Sequence, residues 1–343
     1  MLKKTFSFSS AKTTCYFDAS FAEIGNLIEK DRAVFITDQN IFEHYQKYFK
    51  GCRTIQIRPG ESYKVQYTVD QIIDQLISFG VDRKTTIIGV GGGVVTDIVG
   101  YAASVYMRGI PFGFVPTSIL GMVDASIGGK NGIDVGPYKN MVGTFRQPDF
   151  LFYDVSLLKT LPEKEWINGF AEIIKHAAIK DIRLFRELEK NSISYYRKNK
   201  KAVADLIRKN VMIKSAVVMS DEFESGERKL LNFGHTLGHA VENVYHLPHG
   251  YAISVGIKAA CLISEEMTNF KETARVTNLL QQYELPIDVP VDFEKVVEIM
   301  RMDKKKLRDV MHYVLLDKIG HAVVKPIPMA QLEKLLYSIA RAR

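Results

Sequence analysis

Cysteine is scarce in this chain: Cys15, Cys52 and Cys261 are three residues, an odd number, spread far apart. That pattern suits neither a disulfide framework nor a zinc site built from cysteine. No uninterrupted apolar run reaches the ~18–20 residues that a membrane span needs, so no membrane partner is expected. The opening stretch MLKKTFSFSSAKTTCYF has two lysines but no continuous apolar core and no small-residue cleavage site. It does not read as a secretory signal. No long Ser, Gln or Pro tract points to disorder. A soluble, cytoplasmic protein is the expectation.

What is present is an ordinary globular composition, 46% hydrophobic and 25% charged over 343 residues. At ~100–200 residues per domain, that length favours two domains. Lys and Arg number 46 against 39 Asp and Glu, a net charge of +7. The excess suits anionic partners, and small phosphorylated or carboxylated substrates are among them. The densest basic run, 301–308, lacks the interleaved aromatics of a single-strand platform, so no nucleic acid is expected.

The first half of the chain alternates. Short β-rich runs at 33–37, 54–57, 85–90 and 112–115 are separated by helical patterns such as 69–79, where Val69, Ile72, Ile73, Leu76 and Ile77 share a face. This predicts an α/β domain with a Rossmann-like parallel sheet over 1–158. Beyond it the pattern is mostly α-helical, over 163–180, 201–219, 235–244, 252–267, 273–283 and 331–340. Two β-like runs at 312–316 and 321–325 read as a hairpin. The second domain, 159–343, is thus expected to be mostly helical.

Three groups of residues could carry chemistry. Gly89-Val-Gly91-Gly92-Gly93-Val94-Val-Thr-Asp97 follows a strand and opens a helix. Such glycines let backbone amides approach a pyrophosphate, though a tight turn alone would also need them. Asp38, at the end of the 33–37 strand, fits either a ribose contact or a helix cap. The second group is His235 and His239, four apart on one helix face, with His249 and with Glu172 on an earlier helix. The glutamate of a zinc-protease HExxH is missing, which argues against that reaction. Two imidazoles and a carboxylate are a catalytic zinc set with one position left open. Third come Asp124, Lys130, Lys139 and Asn140 in the first half, and Lys214, Arg228 and Asn232 in the second. Singly each reads better as part of a polar surface loop, but a multiply anionic substrate would need such groups to converge.

At this point the chain resembles a known family, the 3-dehydroquinate synthases among the sugar-phosphate cyclases, almost end to end. The likeness rests on Pro-Gly-Glu61-Ser-Tyr-Lys64, the 91–97 turn, Arg108-Gly109, Pro116-Thr117-Ser118, Val123-Asp124-Ala-Ser126, Gly129-Lys130 and Lys139-Asn140-Met-Val-Gly143. It continues in Ala171-Glu172-Ile-Ile-Lys175, Asp221-Glu222, Asn232-Phe-Gly-His235-Thr-Leu-Gly-His239, His249-Gly250 and Asp303-Lys304-Lys305. The chain departs from the family's usual residues at Thr96, Gly121-Met122 and Asn131, none of them a metal ligand or charged anchor.

The resemblance implies a function. Zinc, with cobalt as an alternative, would be held by Glu172, His235 and His249. NAD would lie against Asp38, Glu61, Lys64, Gly92, Gly93, Val94, Asp97, Thr117, Ser118, Lys130, Lys139 and Thr160. An anionic sugar phosphate would meet Asp124, Lys130, Asn140, Lys175, Lys214, Arg228, Asn232 and His239, with Lys304 or, preferably, Lys305 at the phosphate. A homodimer is implied, with Arg108 reaching the neighbouring subunit's site. The expected reaction converts 3-deoxy-D-arabino-heptulosonate 7-phosphate to 3-dehydroquinate and phosphate, a step of the shikimate pathway. A metal-dependent polyol dehydrogenase would share the cofactors but not the cluster of cations.

Overall fold

The computed structural model describes residues 1–136, 138–290, 292–302 and 310–341. It divides into two compact units, Met1–Glu165 with Asn199–Phe223, and Trp166–Lys198 with Glu224–Arg343.

The first unit opens with a hairpin of β1 (Leu2–Ser7) and β2 (Lys12–Phe17). Then come β3 (Ala33–Asp38), α1 (Gln39–Phe49), β4 (Arg53–Ile57), α2 (Gln66–Ser78), β5 (Thr86–Gly91), α3 (Gly93–Val105) and β6 (Phe112–Pro116). A second hairpin, β7 (Lys130–Val135) and β8 (Tyr138–Phe145), precedes the short β9 (Phe150–Phe152). Among the described residues, seven strands form one sheet in the order β1-β2-β9-β6-β5-β3-β4. Every pairing is parallel except β1 with β2. The central strands are apolar without alternation because helices and loops cover both faces: Val34, Ile36, Ile87, Ile88, Val90 and Val115 have no exposed surface. The four β-rich runs and the helix expected around 69–79 all appear, with ends shifted by up to three residues. The two hairpins escape the sequence pattern. β1 is exposed at all but one position, and β8 is exposed or half-buried throughout, so neither shows an apolar alternation.

α4 (Glu163–Lys180) leads into the second unit, followed by α5 (Ile182–Glu189) and α6 (Ile193–Lys198). α7 (Lys200–Ser220) returns to the first unit, where it packs on the 121–125 turn and on β1. A single division near residue 158 would have assigned α7 to the second unit. The remainder is α8 (His235–Tyr245), α9 (His249–Thr268), α10 (Thr273–Gln282), α11 (Phe293–Met302), an antiparallel hairpin β10 (Val310–Lys318) and β11 (His321–Pro328), and α12 (Met329–Arg341). α4 is buried all round from Trp166 to Ile179, which makes it the core helix of this unit, and its Phe170 stacks on Tyr283 at 4.6 Å.

α8 and α9 meet through glycine. A Cβ on Gly256 would sit 1.9 Å from the Gly234 carbonyl, and one on Gly238 would sit 2.8 Å from Ile253 Cδ1. Gly234 itself caps α8 with φ +79°, a conformation that suits glycine. Backbone therefore lies against backbone, and the histidines at the two helix starts are drawn together. No described helix is long and apolar enough to cross a membrane.

Candidate active site

In the first unit, β3, β5 and β6 are parallel neighbours, so their carboxyl ends share one edge. Ligands of open parallel sheets bind outside that edge. Asp38 ends β3 and caps α1, accepting from Ile41 N at 3.0 Å. Burial raises the pKa of its carboxyl group, while the cap bonds pull it down. Gly91 and Gly92 turn β5 into α3. A Cβ on Gly91 would lie 2.4 Å from Val95 Cγ2, so packing alone requires glycine there. Packing does not account for the whole turn, since a Cβ on Gly92 would find its nearest neighbour, Ser118 Oγ, at 3.3 Å. The helix start beyond it, at Gly93 and Val94, offers amide donors to an anion. Thr117 N donates to the Gly91 carbonyl at 2.9 Å, and Ser118 Oγ accepts from Gly121 N at 3.1 Å, which ties the loop after β6 to this turn.

A charge network borders the turn. Lys64 Nζ lies 2.8 Å from Asp97 and 3.6 Å from Glu61, and Lys139 is 3.9 Å from Glu61. Burial works against the Lys64 ammonium, but Asp97 and Glu61 outweigh it and raise its pKa. Burial also raises the Asp97 pKa, against the pull of Lys64. Thr160 shares a hydrogen bond of 2.9 Å with the Tyr45 hydroxyl.

Lys214 of α7 meets Asp124 twice, at Oδ1 and at the backbone carbonyl, both at 2.7 Å. Asp124 sits in a π-type turn, Gly121–Ala125, a form of wide turn frequent at functional sites. Lys130 is exposed at the start of β7. Asn140 is exposed in β8 at φ +55°, its N donating to Asp134 at 2.7 Å. Arg108 is exposed at φ +66°.

In the second unit, Glu172 and Lys175 lie one turn apart on α4, both buried and ion-paired. His235 opens α8 and His249 opens α9. Their Nε2 atoms approach the same Glu172 oxygen, at 3.6 and 3.4 Å. His235 Nδ1 is 3.1 Å from the Phe233 carbonyl, and His249 Nδ1 is 3.1 Å from Glu242. A carbonyl only accepts, so His235 carries its proton on Nδ1 and turns an Nε2 lone pair toward a carboxylate. Two acceptors facing each other need a cation between them. Burial first, then Lys175, holds His235 well below the ordinary histidine pKa. For His249, bonds to Glu172 and Glu242 overcome burial and push the pKa up to about 9. The ligand atoms of Glu172, His235 and His249 all lie within 4.8 Å of one another. One carboxylate and two oriented imidazoles fit a divalent ion with an open position.

His239 is exposed beside this cluster, its ring 5.0 Å from that of His235 and 6.0 Å from that of His249. Arg228 is buried in the Glu227–Asn232 turn, and Asn232 donates to Glu224 at 2.6 Å. Lys304 and Lys305 lie outside the described residues. Sequence reading missed Glu242, which orients His249, and Asn168, which accepts from Gly250 N at 2.5 Å beside His249. Glu242 stands seven residues after His235, two helical turns along the same face, and that spacing was the available signal.

A glycine-turn α/β unit joined to a helical unit with a Glu–His–His cluster has the parts of a nucleotide- and metal-using enzyme. Residues 54–168 match the 3-dehydroquinate synthase N-terminal family, and 169–306 match its C-terminal counterpart. The 3-dehydroquinate synthase of Pyrococcus abyssi is 42% identical over 83% of this chain and 85% of its own length. That of Saccharolobus solfataricus is 38% identical over 91% of each. The chain belongs to the 3-dehydroquinate synthase family. A solved structure of 2-epi-5-epi-valiolone synthase from Streptomyces hygroscopicus, with NAD+ and Zn2+ bound, has a TM-score of 0.85 at 28% identity, covering 100% of this chain and 99% of that one.

Proposed function

We infer that this chain converts 3-deoxy-D-arabino-heptulosonate 7-phosphate to 3-dehydroquinate and phosphate. The observation that carries the reading is the convergence of Glu172, His235 and His249, in a chain of this family. When bound, a zinc-like ion on these three residues supplies Lewis acidity, and NAD along the β3–β5–β6 edge supplies a reversible hydride acceptor.

The chain's own residues then have separable tasks. The C5 hydroxyl must become a ketone before the neighbouring C6 proton is acidic enough to leave. Lys175, buried against Glu172, is suited to hold or move the hydroxyl proton. Asp124, paired with Lys214, can orient a second hydroxyl. Lys130 and Asn140 would hold the phosphate until it leaves by β-elimination, with Lys305 as a third phosphate contact. Arg228 presents a planar fork that suits the substrate carboxylate, with Lys214 in support. His239 would hold the phosphate or a water, and Asn232 would fix a hydroxyl. After the hydride returns, ring opening and an intramolecular aldol closure complete the carbocycle.

The buried free thiols Cys15 and Cys261 support action in the cytoplasm. Exposed Tyr138, Met141, Val142 and Phe145 on β8 support a homodimer, with Arg108 serving the neighbouring site. The test is to incubate the protein with NAD, zinc and the heptulosonate phosphate, then assay phosphate and 3-dehydroquinate. Many products should form per NAD with no matching growth of NADH. NADH rising in step with product would overturn the cyclase reading in favour of a dehydrogenase.

A further inference from the structure

Glu222, just beyond the end of α7, takes no part in the chemistry above, yet its buried carboxylate gathers two distant segments. Ser9 Oγ and Ser10 N, the latter at 3.0 Å, donate to Oε2. Ser10 Oγ at 2.6 Å and Gln147 Nε2 at 2.8 Å donate to Oε1. The serines belong to the β1–β2 turn, and Gln147 lies between β8 and β9. Four donors on one shielded carboxylate make a strong, charge-assisted knot.

The knot leads to Lys130. Gln147 packs on Gly129, where a Cβ would stand 3.0 Å from its Cδ. The Gly129 carbonyl accepts from Arg146 N at 2.8 Å and from Asn131 Nδ2 at 3.0 Å. Asn131 Nδ2 also donates to the Arg146 carbonyl at 2.9 Å. Lys130 stands between Gly129 and Asn131, so its backbone is clasped on both sides while its side chain is exposed. A flexible lysine is placed no better than the Cα that carries it.

We propose that Glu222 is a positioning residue for Lys130: through Gln147 it fixes the Gly129 turn, and with it the origin of the ammonium that holds the substrate phosphate. The proposal rests on the reading of Lys130 as a phosphate-binding group.

The test uses the full chain loaded with zinc and NAD, comparing Glu222→Ala, Glu222→Gln, Gln147→Ala, Lys130→Ala and the double Glu222→Ala/Lys130→Ala. The probes are inhibition by inorganic phosphate, kcat and KM for the heptulosonate phosphate, and zinc affinity. A misplacement of ~1 Å can cost about 100-fold, so Glu222→Ala and Gln147→Ala should each weaken phosphate inhibition and raise KM by about 5- to 50-fold. Zinc affinity, set by Glu172, His235 and His249 in the other unit, should hold within about twofold, and Glu222→Gln, which keeps an acceptor for Gln147, should recover most of the loss. The double variant should be no worse than Lys130→Ala alone, because coupled residues do not add. Multiplied losses in the double variant, or zinc affinity falling in parallel, would overturn the proposal. If Lys130→Ala weakens phosphate inhibition while Glu222→Ala and Gln147→Ala do not, the proposal alone falls. If Lys130→Ala leaves phosphate inhibition unchanged, the reading of Lys130 falls and the proposal with it. Should Glu222→Ala fail to fold, Gln147→Ala, which spares the serine bonds, supplies the same comparisons.

Discussion

Removing the Glu242 carboxylate should weaken metal binding although Glu242 lies outside the proposed Glu172–His235–His249 ligand set. Its Oε2 lies 3.1 Å from His249 Nδ1, and its side chain is 8% exposed, so the bond is both charged and shielded from water. It fixes the tautomer and the ring orientation that aim Nε2 at Glu172. Loss of such a partner typically lowers metal affinity by about 10- to 100-fold. At ~1.36 kcal/mol per tenfold, that is ~1.4–2.7 kcal/mol. Shielding places Glu242→Ala in the upper half of that range. Glu242→Gln keeps an acceptor without the charge, so it should lie near the lower end. Bonds to Glu172 and Glu242 raise the His249 pKa to about 9, so below that pH a metal must also displace a proton that Glu242 helps to retain. The comparison is therefore cleanest at or above about pH 9, where this competition fades. Titration with zinc against a chromogenic chelator measures the difference. Equal affinities for Glu242→Ala and the native chain at that pH would refute the orienting role.

Three further outcomes follow from other parts of the structure. Gly256→Ala would drive a Cβ to 1.9 Å from the Gly234 carbonyl, and backbone cannot rotate aside, so urea unfolding should show a loss of at least ~1–3 kcal/mol together with weaker metal binding; an unchanged midpoint would contradict the close helix contact. Asp97→Ala removes the partner at 2.8 Å from buried Lys64 and should weaken NAD binding in fluorescence titration, whereas unchanged affinity would leave the glycine turn a purely structural device. Hydrogen bonds from Ser10, Ser9 and Gln147 overcome burial and hold Glu222 at about 2, below its ordinary value of 4.5, so its contribution to stability is complete above that ordinary value and disappears as pH falls through about 2. The stability gap between the native chain and Glu222→Gln should close across that window, and a gap independent of pH would count against the knot.

The sequence made the cluster legible because its chemistry is written in residue types. Two histidines on one helix face, a third before a glycine and a glutamate on an apolar helix are unusual enough to stand out. Glu242 was faint because a glutamate on a helix reads as a solvated face, and only its spacing from His235 hinted at the burial that the structure shows. The parallel strands were legible because burial on both faces makes them apolar throughout. β8 was not, since its exposed side chains follow no binary pattern. α7 has a clear helical period, but a period says that a helix exists and not which core receives it.

The return of α7 to the first unit shapes how the protein is made. The chain passes between the two compact units at three places: after Glu165, after Lys198 and after Phe223. A ribosome must therefore add 220 residues before the nucleotide-type unit has its last helix, and by then α4, α5 and α6 have already been synthesised. A gene fragment ending near residue 158 would encode the sheet without the helix that carries Lys214, and Asp124 would lose that partner. No simple truncation therefore contains this unit whole: its residues run from Met1 to Glu165 and resume at Asn199, so any chain that carries all of it without the other unit must omit 166–198.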